Sequence, residues 1–283
     1  MQIARNREEL RNAVSRYRQQ QLKTGFVPTM GNLHAGHLSL VEAAINECDV
    51  VITSIFVNPM QFGENEDLNT YPRTPHEDIA ALDDLHVDLL YLPEVSDVYP
   101  GGLESQTRVV VPGLSKMLCG ISRPLFFTGV ATVVNRLFNL VQPDVAYFGR
   151  KDYQQFLVIR KMVDDLAIPI EIRGIDTVRE GDGLAMSSRN NYLNNEQRSQ
   201  ASKLYMVLRD TALQYTQQGE RARLEKSARD RLASYGFRPD YLEIRRSADL
   251  AIPESGDRDL IIVAAAWLGE TRLIDNMVFS INE

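Results

Sequence analysis

His34 and His37 stand three residues apart around Gly36, in the run Thr29-Met30-Gly31-Asn32-Leu33-His34-Ala35-Gly36-His37. The run follows the apolar segment Gly25-Phe26-Val27-Pro28, which reads as a buried strand ending in a turn. Leu38, Leu40, Val41, Ala44 and Ile45 then recur at helical spacing, so a helix is expected from Ala35 to Glu47 with both histidines at its first turn. Free N–H groups and the positive end of the helix dipole favour an anion there, and Gly36 would let phosphate oxygens approach the backbone. Two imidazoles add donors without permanent charge, because histidine changes protonation near pH 6.5. The alternatives are a helix cap beside a surface residue, or a metal pair. Zinc pairs on a helix more often sit four apart with a glutamate between, and here no cysteine or third histidine is near.

Three more segments carry chemistry. Gly149-Arg150-Lys151-Asp152 lies where a strand turns into the helix of Tyr153 to Ile159: Gly149 would permit a tight turn, Lys151 a mobile positive charge and Asp152 an N-cap. Met186-Ser187-Ser188-Arg189-Asn190 follows the loop Arg179 to Leu184 and sets two hydroxyls and a guanidinium in succession, suited to phosphate oxygens. A surface turn and a helix-start turn are the respective alternatives. Asn58-Pro59-Met60-Gln61-Phe62 places two amides together after a strand, and Gln154-Gln155 opens a later helix with two more. Amides recognise hydroxyls and carboxylates without adding charge. Gln154 reads as a solvated residue, whereas Gln61 between Met60 and Phe62 does not.

The elements that must position these residues alternate. A helix over 5–21 precedes strand candidates at Val50–Val57, Asp88–Leu92, Asp144–Gly149 and Ile168–Ile172, separated by helices starting near Pro75 and spanning Thr128–Val141. Such alternation implies a parallel sheet with helices on both faces, whose ligands bind at strand carboxyl ends. The histidine segment, the Asn58 loop and Gly149 all fall at such ends. After residue 176 the pattern changes to helices at Glu196–Gln218 and Arg221–Tyr235, then strands at Tyr241–Arg245, Leu260–Ala266 and Arg272–Asp275. Two domains are expected, 1–176 and a smaller α+β domain, 177–283. A chain of 283 residues with 44% hydrophobic and 24% charged residues is an ordinary globular protein. The apolar run Leu260–Leu268 is too short to span a bilayer. The charged stretch Met1–Leu10 does not read as a secretory signal, and Cys48 and Cys119 form no C-x-x-C pair, so a cytoplasmic location is expected. A net charge of −7 argues against a nucleic-acid surface.

Taken in order, P-T-M-G-N-L-H-x-G-H, F-V-N-P-M-Q-F, Y-P-R-T, F-G-x-K-D-Y-Q-Q and L-A-M-S-S-R-N resemble the pantoate–β-alanine ligase (pantothenate synthetase) family over nearly the whole chain, from Lys23 to Met277. The resemblance implies a Rossmann-like α/β domain, with the smaller domain as a lid, and an adenylate-forming reaction. ATP and pantoate give pantoyl adenylate and pyrophosphate, and β-alanine then gives pantothenate and AMP. It implies that Met30, Gly31, Asn32, Leu33, His34, Ala35, Gly36 and His37 form the ATP loop, with His34 and His37 on the phosphates and His37 the candidate proton donor. Lys151 and Arg189 would share the phosphate charge, Ser187 and Ser188 would add donors, and Val178 and Met186 would line the nucleotide pocket. Gly149, Arg150 and Asp152 would also contact the nucleotide. Gln61 and Gln155 carry over as pantoate ligands, Gln61 also lying near β-alanine. Mg²⁺ is implied with ATP; no ligand for it is fixed, and Asp78 is a candidate. A homodimer through the larger domain is likewise implied.

The chain departs from the family pattern R-P-G-H-F-x-G-V at Arg123-Pro124-Leu125-Phe126-Phe127-Thr128-Gly129-Val130, where Leu125 and Phe126 replace glycine and histidine, and Arg150 stands where an acidic residue is common. These changes put rate and ATP affinity in question, and they motivate a competing reading as a non-catalytic nucleotide-binding protein. A nucleotidylyltransferase that stops after the first step shares the H-x-G-H arrangement, but Gln61, Gln155 and the second domain speak against it. A tRNA-charging enzyme would need an anticodon-binding region that this short, acidic chain does not show.

Overall fold

The computed structural model describes residues 1–63, 66–218 and 220–281. The chain forms two compact units, Met1–Arg150 with Gln155–Asp176, and Lys151–Gln154 with Thr177–Glu283. The four residues Lys151–Gln154, which the sequence pattern leaves in the first domain, group with the second unit.

The first unit carries β1 (Gln2–Ala4), α1 (Arg7–Gln19), β2 (Thr24–Thr29), α2 (Ala35–Glu47), β3 (Val50–Ile55), α3 (Pro75–Asp84), β4 (Leu89–Tyr91), the short α4 (Val95–Val98) and α5 (Cys119–Ser122), then α6 (Phe126–Val141), β5 (Val145–Gly149) and β6 (Glu171–Ile175). Most of α7 (Tyr153–Asp165) also belongs to it, from Gln155 onward. All six strands are parallel, in the order β1-β4-β3-β2-β5-β6. The chain runs outward from β2 to β3 and β4, then returns past β2 to β5, so the strand order reverses between β2 and β5. In open parallel sheets the crevice at such a reversal, at the strand carboxyl ends, is where ligands bind. The H-x-G-H segment leaves β2 and Gly149 ends β5, which puts both at that point. One sheet face buries Val27, Val51, Leu90 and Tyr147 against Leu40, Val41 and Ala44 of α2 and Leu82 of α3. On α6, Phe127, Val130, Val134, Leu137, Phe138 and Val141 recur at helical spacing and are buried. Phe138 meets Phe26 and Phe148 edge-on, at 6.5 and 6.2 Å between ring centroids.

The second unit pairs β7 (Arg238–Arg246), β8 (Asp259–Leu268) and β9 (Thr271–Ser280) as an antiparallel sheet. Leu204, Val207 and Leu208 of α9 (Lys203–Gln218) and Leu232 of α10 (Arg221–Ser234) share one core with Leu242 and Ile262 of the sheet. Among the described residues no helix is long and apolar enough to cross a membrane.

Two expectations on elements are corrected, and one strand is added to them. The last parallel strand is Glu171–Ile175, not Ile168–Ile172, because Ala167 takes a left-handed φ of 48° and Pro169 has no N–H to offer a ladder. The helix expected over Glu196–Gln218 divides at Ser202 into α8 (Asn195–Ala201) and α9. β1 was not anticipated at all; it pairs along β4 at the sheet edge.

At the amino ends of the strands, Glu47 accepts from Arg173, Lys23 and the Tyr147 hydroxyl. The Arg173 guanidinium is the main cause that holds the Glu47 carboxyl at about 2, against an ordinary 4.5. A carboxyl depressed on folding stabilises above its unfolded pKa and loses that contribution as pH falls through the folded value. Stability in urea is therefore expected to decline from pH 4.5 to about 2, and Glu47→Gln should flatten that slope. An unchanged slope in the variant would show that Glu47 does not carry it.

Candidate active site

Thr29 ends β2 with its hydroxyl donated to the Ser54 carbonyl at 2.9 Å, and Gly31 N–H points back to the same hydroxyl at 3.3 Å. Gly31 and Asn32 then both take left-handed backbone, φ 80° and 50°. Glycine is suited to this conformation and asparagine tolerates it. A Cβ on Gly31 would lie 3.0 Å from Asp78 Oδ2 and 3.1 Å from Ile55 Cγ2, so space as well as backbone excludes a side chain. His34 is the N-cap of α2, with φ −135° and ψ 172°. Its Nδ1 accepts the Gly36 N–H at 3.1 Å, and His37 Nδ1 accepts the His34 N–H at 3.4 Å, a reciprocal capping box built from two imidazoles.

This geometry corrects one expectation and sharpens another. The Gly36 and His37 amides are used internally, by the His34 ring and the His34 carbonyl at 2.7 Å, so they are not free donors for a phosphate. That role would pass to the rings. A neutral imidazole that accepts at Nδ1 carries its proton at Nε2, so the capping box selects the Nε2–H tautomer in both. The ring centroids lie 4.1 Å apart. The cap reading and the ligand reading of the pair are thus compatible, one nitrogen serving each.

Asp78, the candidate magnesium ligand, is buried and already engaged. It accepts from Asn32 N–H at 2.9 Å, Leu33 N–H at 2.7 Å and the Thr74 hydroxyl at 3.1 Å. Among the described residues no group of three or more His, Cys, Asp or Glu side chains could hold a metal ion. The described residues form no all-protein cage, so a magnesium ion entering with ATP would be held chiefly by the phosphates and water.

Gln61 closes a 3₁₀ turn, Pro59–Gln61, capped by Asn58, whose Oδ1 accepts the Met60 N–H. The turn is tightly determined. Asn58 Nδ2 donates to Gln61 Oε1 and to the Gly129 carbonyl, each at 3.1 Å, and Asn58 Oδ1 also accepts from the Tyr99 hydroxyl at 2.8 Å. Gly129 lets α6 approach so closely that a Cβ there would sit 2.2 Å from the Met60 carbonyl oxygen. Gln61 is buried and its Nε2 donates to Met30 Sδ at 2.9 Å, which brings a residue of the H-x-G-H loop beside the amide. Arg123 donates to the Gln61 carbonyl at 3.2 Å and to Glu66 at 2.6 Å, and its guanidinium lies 3.7 Å from the centroid of the Phe126 ring. Phe126, the departure from the family pattern, is therefore a stacking surface for the arginine that holds this turn.

Around β5 the structure revises several roles. Gly149 is paired within the strand, has ordinary φ and would meet nothing within 4 Å if given a Cβ, so it leaves open space rather than a strained turn. Arg150 donates to Asp176 at 2.9 Å. Asp152 ends the 3₁₀ turn Arg150–Asp152, directly before α7, with Lys151 Nζ 3.7 Å away. Gln154, read as solvated, is buried, while Gln155 is half-buried.

In the second unit, Lys151 and the segment after Asp176 are tied to β9. Asn276 Nδ2 donates to the Lys151 carbonyl at 2.8 Å. Arg179 pairs bidentately with the buried Asp275, at 2.7 and 2.9 Å, and also donates to the Asn276 carbonyl at 3.2 Å and the Gly183 carbonyl at 3.1 Å. Burial pushes the Asp275 carboxyl up and Arg179 offsets part of that. The segment itself folds back, with Met186 N–H on the Val178 carbonyl at 3.0 Å, and Ser187 caps the 3₁₀ turn Ser188–Tyr192 by accepting the Arg189 N–H at 3.3 Å. Ser187 is thus a helix-start residue whose hydroxyl proton can still be donated; Ser188 is buried. The Asp275–Asn276 pair was missed in the sequence, where nothing local marks it.

Residues 2–278 match the family model described as pantoate-beta-alanine ligase. A pantothenate synthetase from Idiomarina loihiensis is 54% identical over 277 residues, covering 98% of this chain and 97% of that protein. A second, from Shewanella amazonensis, is 54% identical over 273 residues, covering 96% and 97%. The crystal structure of pantothenate synthetase from Thermus thermophilus matches at TM-score 0.91 and 46% identity, covering 98% of this chain and 99% of that one. A Francisella tularensis pantoate-beta-alanine ligase, complexed with beta-gamma ATP and beta-alanine, matches at TM-score 0.84 and 35% identity, covering 98% and 97%. With this fold and these relatives the protein is a ligase built on a parallel α/β sheet. It belongs to the pantoate–β-alanine ligase family.

Proposed function

We propose that the protein joins pantoate to β-alanine in two steps, consuming ATP and releasing pyrophosphate and AMP. The observation that carries this reading is the pair of imidazoles that each accept a backbone N–H at Nδ1 at the start of α2, beside the carboxyl end of the strand where the sheet order reverses. The Francisella tularensis relative complexed with beta-gamma ATP and beta-alanine supports the substrate classes.

In the first step a pantoate carboxylate oxygen attacks the α-phosphorus and the bond to pyrophosphate breaks. Negative charge grows on the phosphate oxygens, so positioned donors matter more than a strong base. His34 and His37 donate from Nε2, His37 toward the departing charge. Lys151 and Arg189 share it, and the Ser187 and Ser188 hydroxyls add donors. Gly31, Asn32, Leu33, Ala35 and Gly36 shape the loop, the open space beside Gly149 leaves room for the nucleotide, and Val178 and Met186 are nucleotide-pocket residues of the second unit. Mg²⁺ enters with ATP as part of the substrate. Gln61, with Oε1 held by Asn58 and one N–H on Met30, keeps a second N–H for a pantoate oxygen; Gln155 supplies a further amide. In the second step the β-alanine amine attacks the acyl carbon, AMP leaves with the bridging oxygen, and the amine loses a proton.

Pantoate-dependent AMP release in the presence of β-alanine and MgATP is expected. His37→Ala should slow pantoyl adenylate formation by about 10²–10³-fold, the range for loss of one transition-state donor. Attack of β-alanine on supplied adenylate should change far less, and equal loss in both half-reactions would contradict the assignment. The protein is also proposed to be a homodimer through its first unit, where Val110, Ile121 and Leu125 are exposed at 56%, 72% and 64%. Sedimentation showing only monomer at micromolar concentration would contradict this.

A further inference from the structure

We propose that Asp78 is a positioning residue for the adenylation step: it acts as the internal anion that fixes the Gly31-Asn32-Leu33 loop and thereby aims both imidazoles. The proposal rests on the reading of that loop as the ATP-phosphate site.

Gly31 and Asn32 can both take left-handed backbone but are not confined to it, so the loop needs a partner that selects this conformation. Here the partner is one carboxylate. The Asn32 and Leu33 amides each donate to a different oxygen of Asp78, at 2.9 and 2.7 Å. Charge-assisted bonds of this kind are about twice as strong as neutral ones. Asp78 is itself held from α3. Thr74, which precedes that helix, donates its hydroxyl to Asp78 Oδ1 at 3.1 Å and its carbonyl accepts the Asp78 N–H at 2.9 Å. The side chain is only 3% exposed, so water does not compete for it. Gly31 closes the fit from the other side, since a Cβ would reach Asp78 Oδ2 at 3.0 Å.

The consequence passes directly along the chain. Leu33 precedes His34, so fixing the Leu33 amide fixes where the N-cap begins, and the capping box then sets both ring orientations. Misplacement of a donor by about 1 Å can cost on the order of 10²-fold in rate. Asp78 touches neither substrate nor metal in this assignment. It acts through the loop.

The test uses the full chain carrying Asp78→Asn, which keeps one acceptor oxygen, and Asp78→Ala, which keeps none; Thr74→Val serves as a milder variant should Asp78→Ala fail to fold. Amide exchange read by NMR without ligand should rise at least about tenfold at Asn32 and Leu33, more in Asp78→Ala than in Asp78→Asn, with the amides of β3 and the last turns of α2 unchanged. In the same variants pantoyl adenylate formation should fall about 10- to 100-fold, while attack of β-alanine on supplied adenylate and half-saturation by Mg²⁺ stay within about twofold of the parent. Unchanged exchange at Asn32 and Leu33 would overturn the proposal. So would a shift in Mg²⁺ half-saturation without loss of amide protection, which would make Asp78 a metal ligand. Lost protection with unimpaired adenylate formation would overturn it from the other side, by showing that the loop Asp78 holds is not the phosphate site.

Discussion

The structure depends on a division of labour within two imidazole rings. Each of His34 and His37 spends Nδ1 on a backbone amide of the same helix start and so is left with its proton on Nε2. Helix initiation normally leaves amide donors unsatisfied, and small polar side chains usually cap them. Histidine caps here instead, which couples the fold to the proposed chemistry: the bonds that begin α2 also favour the neutral tautomer protonated at Nε2. Loss of either ring would remove a helix cap and a donor together.

The rest of the first unit serves to deliver that helix start. Order reversal between β2 and β5 places the loop at the crevice of the sheet, and the Asp78 carboxylate holds the loop by its Asn32 and Leu33 amides. The Gln61 turn is secured by a different device, close approach of α6 at Gly129 together with the Asn58 amide and the stacked Arg123. In the second unit a single strand pair, Asp275-Asn276, holds both the Lys151 backbone and the Arg179 end of the returning segment. Backbone positioning is the common theme, which suits the proposed nucleotidyl transfer.

Much of this was legible in the sequence wherever the signal is local. The bounds of α2 follow from apolar spacing and the residues at its start, and β2, β3 and β5 from apolar runs ending in turn residues. The corrected features are those decided by distant parts of the chain. The sequence does not show that Asp78 receives the amides of Asn32 and Leu33, more than forty residues earlier. Gln154 looks solvated until tertiary packing buries it, and Gly149 looks like a turn glycine until its strand is seen to run through it. Asp275 and Arg179 lie 96 residues apart and share no motif. Phe126 reads as a loss relative to the family pattern, yet it gives Arg123 a surface to stack on.

The central claim is that pantoate is activated as an adenylate at the loop bearing His34 and His37. Turnover with pantoate labelled by ¹⁸O in its carboxylate tests this most directly. Attack of that carboxylate on the α-phosphorus, followed by departure of AMP with the bridging oxygen, predicts one ¹⁸O in each AMP released. Label in inorganic phosphate or pyrophosphate, or AMP free of label while pantothenate forms, would contradict the account.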